Sequence, residues 1–191
     1  MKKGLLIILM VCGLLSANQE REVNIKGFCF SYMSEYSIPG YYLGYRFNDN
    51  FEILGGYSVD RYNKKEENNS SLTKEYYEEK TETYGIKYYY ASKENLHLYL
   101  GAFTLKGANH FEYETEYTYS NKQIENSSFS GNKFCLGAQY FLNSEKFAFN
   151  IEYGQINKDF KGTAEDETNN ESDTRETNNY SYSAFGISCY F

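Results

Sequence analysis

Eight segments of this chain alternate apolar and polar side chains with a period of two, and no other feature constrains the fold as strongly. The cleanest runs from Phe147 to Gly154. Phe147, Phe149, Ile151 and Tyr153 share one face; Ala148, Asn150, Glu152 and Gly154 share the other. Tyr41, Leu43, Tyr45 and Phe47 oppose Tyr42, Gly44 and Arg46, and Phe51, Ile53, Tyr57 and Val59 oppose Glu52, Gly56 and Asp60. Tyr84, Ile86, Tyr88 and Tyr90 oppose Gly85 and Lys87, and Leu96, Leu98, Leu100 and Ala102 oppose His97 and Gly101. Phe134 to Leu142 places Lys133, Cys135 and Gly137 on its minor face, and the last segment sets Phe185, Ile187, Cys189 and Phe191 against Gly186 and Ser188. Phe28, Phe30 and Tyr32 around Cys29 supply the first strand. With 22 Tyr, 14 Phe and a single Pro, the composition suits strands.

The short connections test this phasing. Asn48-Asp49-Asn50 sets Arg46 opposite Glu52, and a turn over Asn143–Lys146 sets Leu136 opposite Tyr153. A turn over Ala91–Asn95 puts Ile86 opposite Leu100 and Gly85 opposite Gly101. The apolar faces meet in all three hairpins, whereas a one-residue slip turns a whole face over. The other connections read as polar loops: Ser34–Gly40 with a Pro39-Gly40 turn, Asn63–Lys74, Ser120–Asn126 and Asp159–Asn179. The expected fold is all-β, an eight-stranded antiparallel up-and-down barrel.

An eight-stranded barrel has an interior only wide enough for side chains to fill. Gly44, Gly56, Gly85, Gly101, Gly137, Gly154 and Gly186 all lie on the minor face, which therefore suits the narrow lumen. Turning the Tyr, Phe, Leu and Ile face inward, as a soluble barrel requires, overfills that space and exposes the charges. The apolar face is then outside, and the expected surroundings are a membrane, crossed by strands rather than helices. The lumen receives Arg46, Lys87 and Lys133 together with Glu52, Asp60 and Glu152, charges that must pair in a poorly solvated interior. Arg46–Glu52 is the firmest expected pair, and an internal ion-pair plug is expected rather than a conduction path.

The amino-terminal end fits that destination. Lys2 and Lys3 precede an apolar run from Leu5 to Leu15 and a small-residue exit at Ser16-Ala17, the form of a secretory signal peptide. Residues 1–17 are expected to be removed, leaving 18–191 as one barrel domain; lipidation at Cys12 is the alternative. The formal net charge of −7 argues against nucleic acid as a partner. Cys29, Cys135 and Cys189 show no metal-ligand spacing, and neither cofactor nor metal is expected.

With strands and turns placed, the chain resembles the small eight-stranded outer-membrane barrels of OmpA/OmpX type, from about Val23 to Phe191. The resemblance rests on architecture and on a carboxyl-terminal assembly signal of Gly186, an apolar residue at Cys189 and Phe191. It departs at Cys189, where such signals carry an aromatic. The resemblance implies a bacterial outer-membrane location, outer-membrane lipid as surroundings, and insertion by barrel-assembly machinery after escort by periplasmic chaperones. It implies no catalytic residue.

Barrel enzymes need a nucleophile with its base. His97 falls at the periplasmic end, and His110 has only Ser128 and Ser130 within reach. Both histidines read as ordinary strand residues. Leu96–Tyr119 runs far beyond the length needed to span a bilayer. A protruding hairpin over 103–130 is therefore expected as a surface for an extracellular protein ligand, by strand addition. The expected role is structural or adhesive; a small-solute channel is the alternative, and a lipid-modifying enzyme a distant third.

Overall fold

The computed structural model describes residues 25–35, 38–68, 71–93, 95–116, 120–142, 146–165 and 171–191. The expected signal peptide and Cys12 lie outside them, as does part of the turn after Leu142. Eight antiparallel strands close into one barrel in sequence order. They are β1 (Gly27–Glu35), β2 (Ile38–Arg46), β3 (Phe51–Asn68), β4 (Ser71–Lys93), β5 (Leu96–Glu116), β6 (Ser120–Phe141), β7 (Phe147–Glu165) and β8 (Glu171–Tyr190). The seam closes where β1 meets β8, Cys29 opposite Tyr190 through Glu35 opposite Ala184. The Phe191 amide donates to the Phe28 carbonyl at 2.9 Å. Gly27 sits beside it at φ +130°, and a Cβ there would run into the Phe191 carbonyl oxygen.

The alternation sorts the faces as its period requires. Phe28, Leu43, Phe134, Ile151 and Phe185 are each more than 60% exposed on the outer wall, while Cys29, Phe103, Cys135, Tyr182 and Tyr190 are buried inside. Cys189, on the outer face, is half-buried. The minor-face glycines seat large rings: a Cβ on Gly137 would meet the Tyr99 hydroxyl at 2.6 Å, and Gly56 lies against the Tyr42 ring. The narrow bore accommodates these tyrosines because the residue paired with each on the neighbouring strand has no side chain.

Several expectations fail. The polar stretches 63–74, 120–126 and 159–179 are strand rather than loop wherever they are described; β3 runs to Asn68 and β8 starts at Glu171. A ladder is built from backbone groups, and polar side chains on a water-exposed ribbon lose nothing by standing in it. Pro39 and Gly40 belong to β2, opposite Ser34 and Met33, not to a turn.

The β4–β5 register also differs. A bulge between Tyr89 and Ala91 extends the ladder to Lys93–Leu96, so Ile86 faces Ala102 and Gly85 faces Phe103. From Gly85 to Tyr89 the displacement from the expected register is two residues and parity keeps those faces in place, whereas past the bulge Ser92 shares the face of His97. Leu98, expected at an exposed outward position, is only 5% exposed.

The strands differ in height. β1 and β2 end at Glu35 and Ile38, whereas β3 to β8 continue well beyond the apolar belt. Pairing of β2 with β3 stops at Gly40–Ser58, and pairing of β1 with β8 stops at Glu35–Ala184.

Candidate functional site

The lumen holds three tiers of polar side chains. At mid-depth, inward alternation on β4, β6 and β7 brings Lys87, Lys133 and Glu152 together. Lys87 Nζ stands 3.2 Å and Lys133 Nζ 3.7 Å from the two Glu152 oxygens. Tyr99 donates to Glu152 at 2.7 Å, and Tyr182 donates to its other oxygen at 3.3 Å. Lys133 also reaches Glu35 of β1 at 3.0 Å and lies 4.1 Å over the Tyr182 ring. Four donors around one carboxylate meet the condition for a tolerated buried charge, and the lysines share its countercharge. The residual space here, beside Tyr42, Lys87 and Glu152, is about 10 Å³.

The tier nearest the short turns contains Arg46 and Glu52. They stand opposite each other as expected and are 0% and 1% exposed. No direct ion pair joins them among the described residues. Arg46 donates through Nη2 to the Asp49 carbonyl at 2.8 Å and to His97 Nδ1 at 3.2 Å. Its guanidinium carbon lies 3.8 Å over the Tyr89 ring. Glu52 accepts hydrogen bonds from the Tyr89 and Tyr190 hydroxyls, both at 2.9 Å. The turn carbonyls supply Arg46 with fixed acceptors, so Tyr89 bridges the two charges instead. Because arginine only donates, His97 Nδ1 accepts, and its ring carries the proton on Nε2 when neutral.

Toward the long hairpins, Lys158 of β7 crosses to Glu79 of β4 at 2.6 Å. Tyr77 and Thr81 donate to the same carboxylate at 3.0 and 3.1 Å. Asp60 stands opposite Glu79 in the ladder and has no ion pair among the described residues. It does not join Lys87, Lys133 and Glu152, because it sits a tier above them on the wall of a cavity of about 860 Å³. Met33, Tyr42, Leu105, Ile156 and Ala184 contribute to the lining of this vestibule, and Lys133 reaches into it from the tier below.

Of the six expected lumen charges, the structure unites Lys87, Lys133 and Glu152, places Arg46 and Glu52 in a second cluster, and leaves Asp60 in a third. Glu35, Glu79, Lys158 and the inward tyrosines were missed. Their signal was present in part: Tyr89 and Tyr99 carry hydroxyls on a face that must satisfy buried charge. Glu79 lay beyond the segment whose alternation was legible.

His110 is outside, on the hairpin above the apolar belt. It pairs with Asn126 Oδ1 at 2.6 Å and Glu112 Oε1 at 2.9 Å. Both ring nitrogens face oxygen acceptors, so these contacts, that with Asn126 foremost, raise its pKa above the ordinary 6.5. Ser128 bonds the Lys161 carbonyl instead. The expected free edge at 103–130 is absent along the described ladder: β5 pairs with β4 and β6, and β6 pairs with β7 from Ile124 onward.

The chain superposes on the crystal structure of Acinetobacter baumannii CarO2 with a TM-score of 0.50 at 11% identity, over 89% of this chain and all of that one. CarO of the same organism gives 0.47 at 12% identity, over 91% of this chain and all of that one. Both are outer-membrane barrel proteins. The likeness shows the fold. No protein-family model and no curated protein sequence matches the chain, so the OmpA/OmpX-type resemblance stays one of architecture.

Proposed function

We propose that the protein is an outer-membrane β-barrel that acts at the cell surface as a structural or partner-binding scaffold, without catalysis and with its bore closed at mid-depth. The observation that carries this reading is Glu152 with its four donors. Lys87, Lys133, Tyr99 and Tyr182 meet there from four strands, within the height of the exposed Phe, Tyr, Leu and Ile belt. The belt supports the membrane assignment, since exposing so much apolar surface to water is unfavourable. His110 and Ser128 are each bonded elsewhere, which supports a non-enzymatic role.

A channel is the second reading, favoured by the vestibule of about 860 Å³ that ends on a side chain, Lys133, rather than on backbone. Planar-bilayer recording separates the two. The closed reading expects no steady conductance from wild-type protein and its appearance in Glu152→Ala; steady wild-type conductance overturns it. Electrophoresis with and without boiling tests the barrel itself, which is expected to migrate differently in the two states.

A further inference from the structure

The unequal strand heights open the barrel wall on one side. Above Ser58, β3 has no described partner on its β2 side, and below Ala184 in sequence β8 has none in the β1 ladder. Both edges, β3 from Val59 to Lys65 and β8 from Asp173 to Asn179, point backbone groups without a ladder partner among the described residues into the same gap. The Phe51 carbonyl accepts from Phe47 on the β2 side while that of Asn50 accepts from Tyr89 of β4. Odd-numbered residues of β3 therefore aim N–H and C=O toward the gap, including Val59, Arg61, Asn63 and Lys65. The Tyr190 amide donates toward β7 and the Phe191 amide toward β1. Odd-numbered residues of β8 face the gap likewise, including Asp173, Arg175, Thr177 and Asn179.

In the lower barrel β1 and β2 fill this interval, which is three strand spacings, or about 14 Å. Above Glu35 and Ile38 no described strand stands between β3 and β8, so the interval that two strands fill below has hydrogen-bonding groups on both sides. The vestibule behind it is acidic. Lys133–Glu35 and Lys158–Glu79 neutralise one another, which leaves Asp60, Glu125 and Glu176 against Arg175.

We propose that this gap takes a β-hairpin of a partner protein, one strand pairing with β3 and the other with β8, its inward side chains lysine or arginine. The proposal rests on the cell-surface reading proposed above. It relocates strand addition from the 103–130 hairpin, whose described ladders pair β5 on both sides and β6 on both sides from Ile124 onward, to β3 and β8, which lack a ladder partner on one side among the described residues.

The test uses the full barrel in lipid nanodiscs and a disulfide-cyclised hairpin peptide of about twelve residues, lysine on one face and threonine on the other. A twin carries glutamate for lysine. Asn63→Pro and Asn179→Pro each remove one N–H that faces the gap and leave the β3–β4 and β7–β8 ladders intact. The lysine hairpin is expected to bind, the glutamate twin not. Either proline is expected to weaken binding at least tenfold, and Asp60→Asn to weaken it less. Hydrogen exchange should slow at Asn63, Lys65, Thr177 and Asn179 on binding.

Absence of binding, equal binding of the twin, or a loss confined to one proline variant overturns the proposal; the last means a single edge acts alone. If a proline variant loses its heat-dependent electrophoretic shift, the exchange pattern of the wild type decides. In every such case a retained wild-type shift and closed bore leave the scaffold reading standing.

Discussion

Glu152 illustrates how a buried charge is tolerated: the carboxylate is worth keeping only while its donors remain. Among the described residues, Glu152→Ala leaves Lys87 without an ion-pair partner and Lys133 with Glu35 alone. We expect a loss of about 3–5 kcal/mol in urea unfolding from vesicles, and a smaller loss when Lys87→Met is added. Equal losses in single and double variants count against the ion pair. Arg46 and Glu52 follow another logic, since Tyr89 lies between them. A double-mutant cycle on Arg46→Met and Glu52→Gln should show coupling that shrinks in a Tyr89→Phe background, where the hydroxyl that bonds Glu52 is gone. Coupling unchanged by Tyr89→Phe rules out the bridge. His110 stands clear of the apolar belt with its pKa raised by Asn126 and Glu112. A raised folded-state value stabilises fully below the unfolded value of about 6.5 and is lost as pH rises through the folded value. The His110 ring resonance should titrate above 6.5, and the hydrogen-exchange protection of Phe111, Glu112 and Asn126, relative to the intrinsic rate at each pH, should fall from pH 6 to pH 8. A midpoint at or below 6.5 contradicts this.

At the scale of the strand, pairing is decided by backbone and by fit across the bore. β5 and β6 stay in register from Leu96–Tyr140 to Glu116–Ser120 although their outer halves carry hardly any apolar residues. Gly137 of β6 makes that register possible in the lower half, because the Tyr99 ring occupies its Cβ position. Gly137→Val is expected to displace Tyr99 from Glu152 and to lower stability by about 1–3 kcal/mol, the usual cost of overpacking. Gly55→Val, on the outer wall where the nearest atom is 3.4 Å away, serves as the control and should be nearly neutral. Equal effects at the two sites would show that loss of strand glycine, not the Tyr99 contact, matters.

For the whole molecule, the apolar belt is low. On β7 it runs from Phe147 to Tyr153, followed outward by Gln155, Asn157 and Asp159. That is about 20 Å along the strand at ~3.3 Å per residue, and less along the barrel axis once the strand tilts. Outer-membrane barrels present a band of about 25 Å. Folding yield should therefore be highest in vesicles of short-chain lipid and fall as acyl chains lengthen, scored by the electrophoretic shift. A yield that rises with chain length would show that the belt extends beyond Tyr153. The rest of β3 to β8 stands above that belt and carries the vestibule and the open side.

The amino-acid sequence by itself determined the two faces. A period of two in Phe147–Gly154 or Phe185–Phe191 admits one phasing, and glycines concentrated on the minor face identify the narrow side. It also determined strand number and two of the three hairpin registers, Arg46 opposite Glu52 and Leu136 opposite Tyr153, because apolar faces had to meet. It was silent on the outer halves of β3, β6, β7 and β8, where both faces meet water and no alternation is imposed. The β4–β5 register was equally invisible, since a displacement of two leaves the faces from Gly85 to Tyr89 unchanged. Only the tertiary structure decided which inward charges meet. The level of a residue in the bore depends on register and strand tilt summed around the ring, so Glu152 finds Lys87 and Lys133, while Asp60 ends a tier away. The gap beside β1 and β2 was likewise settled by closure, because a free edge is defined by what does not arrive next to it.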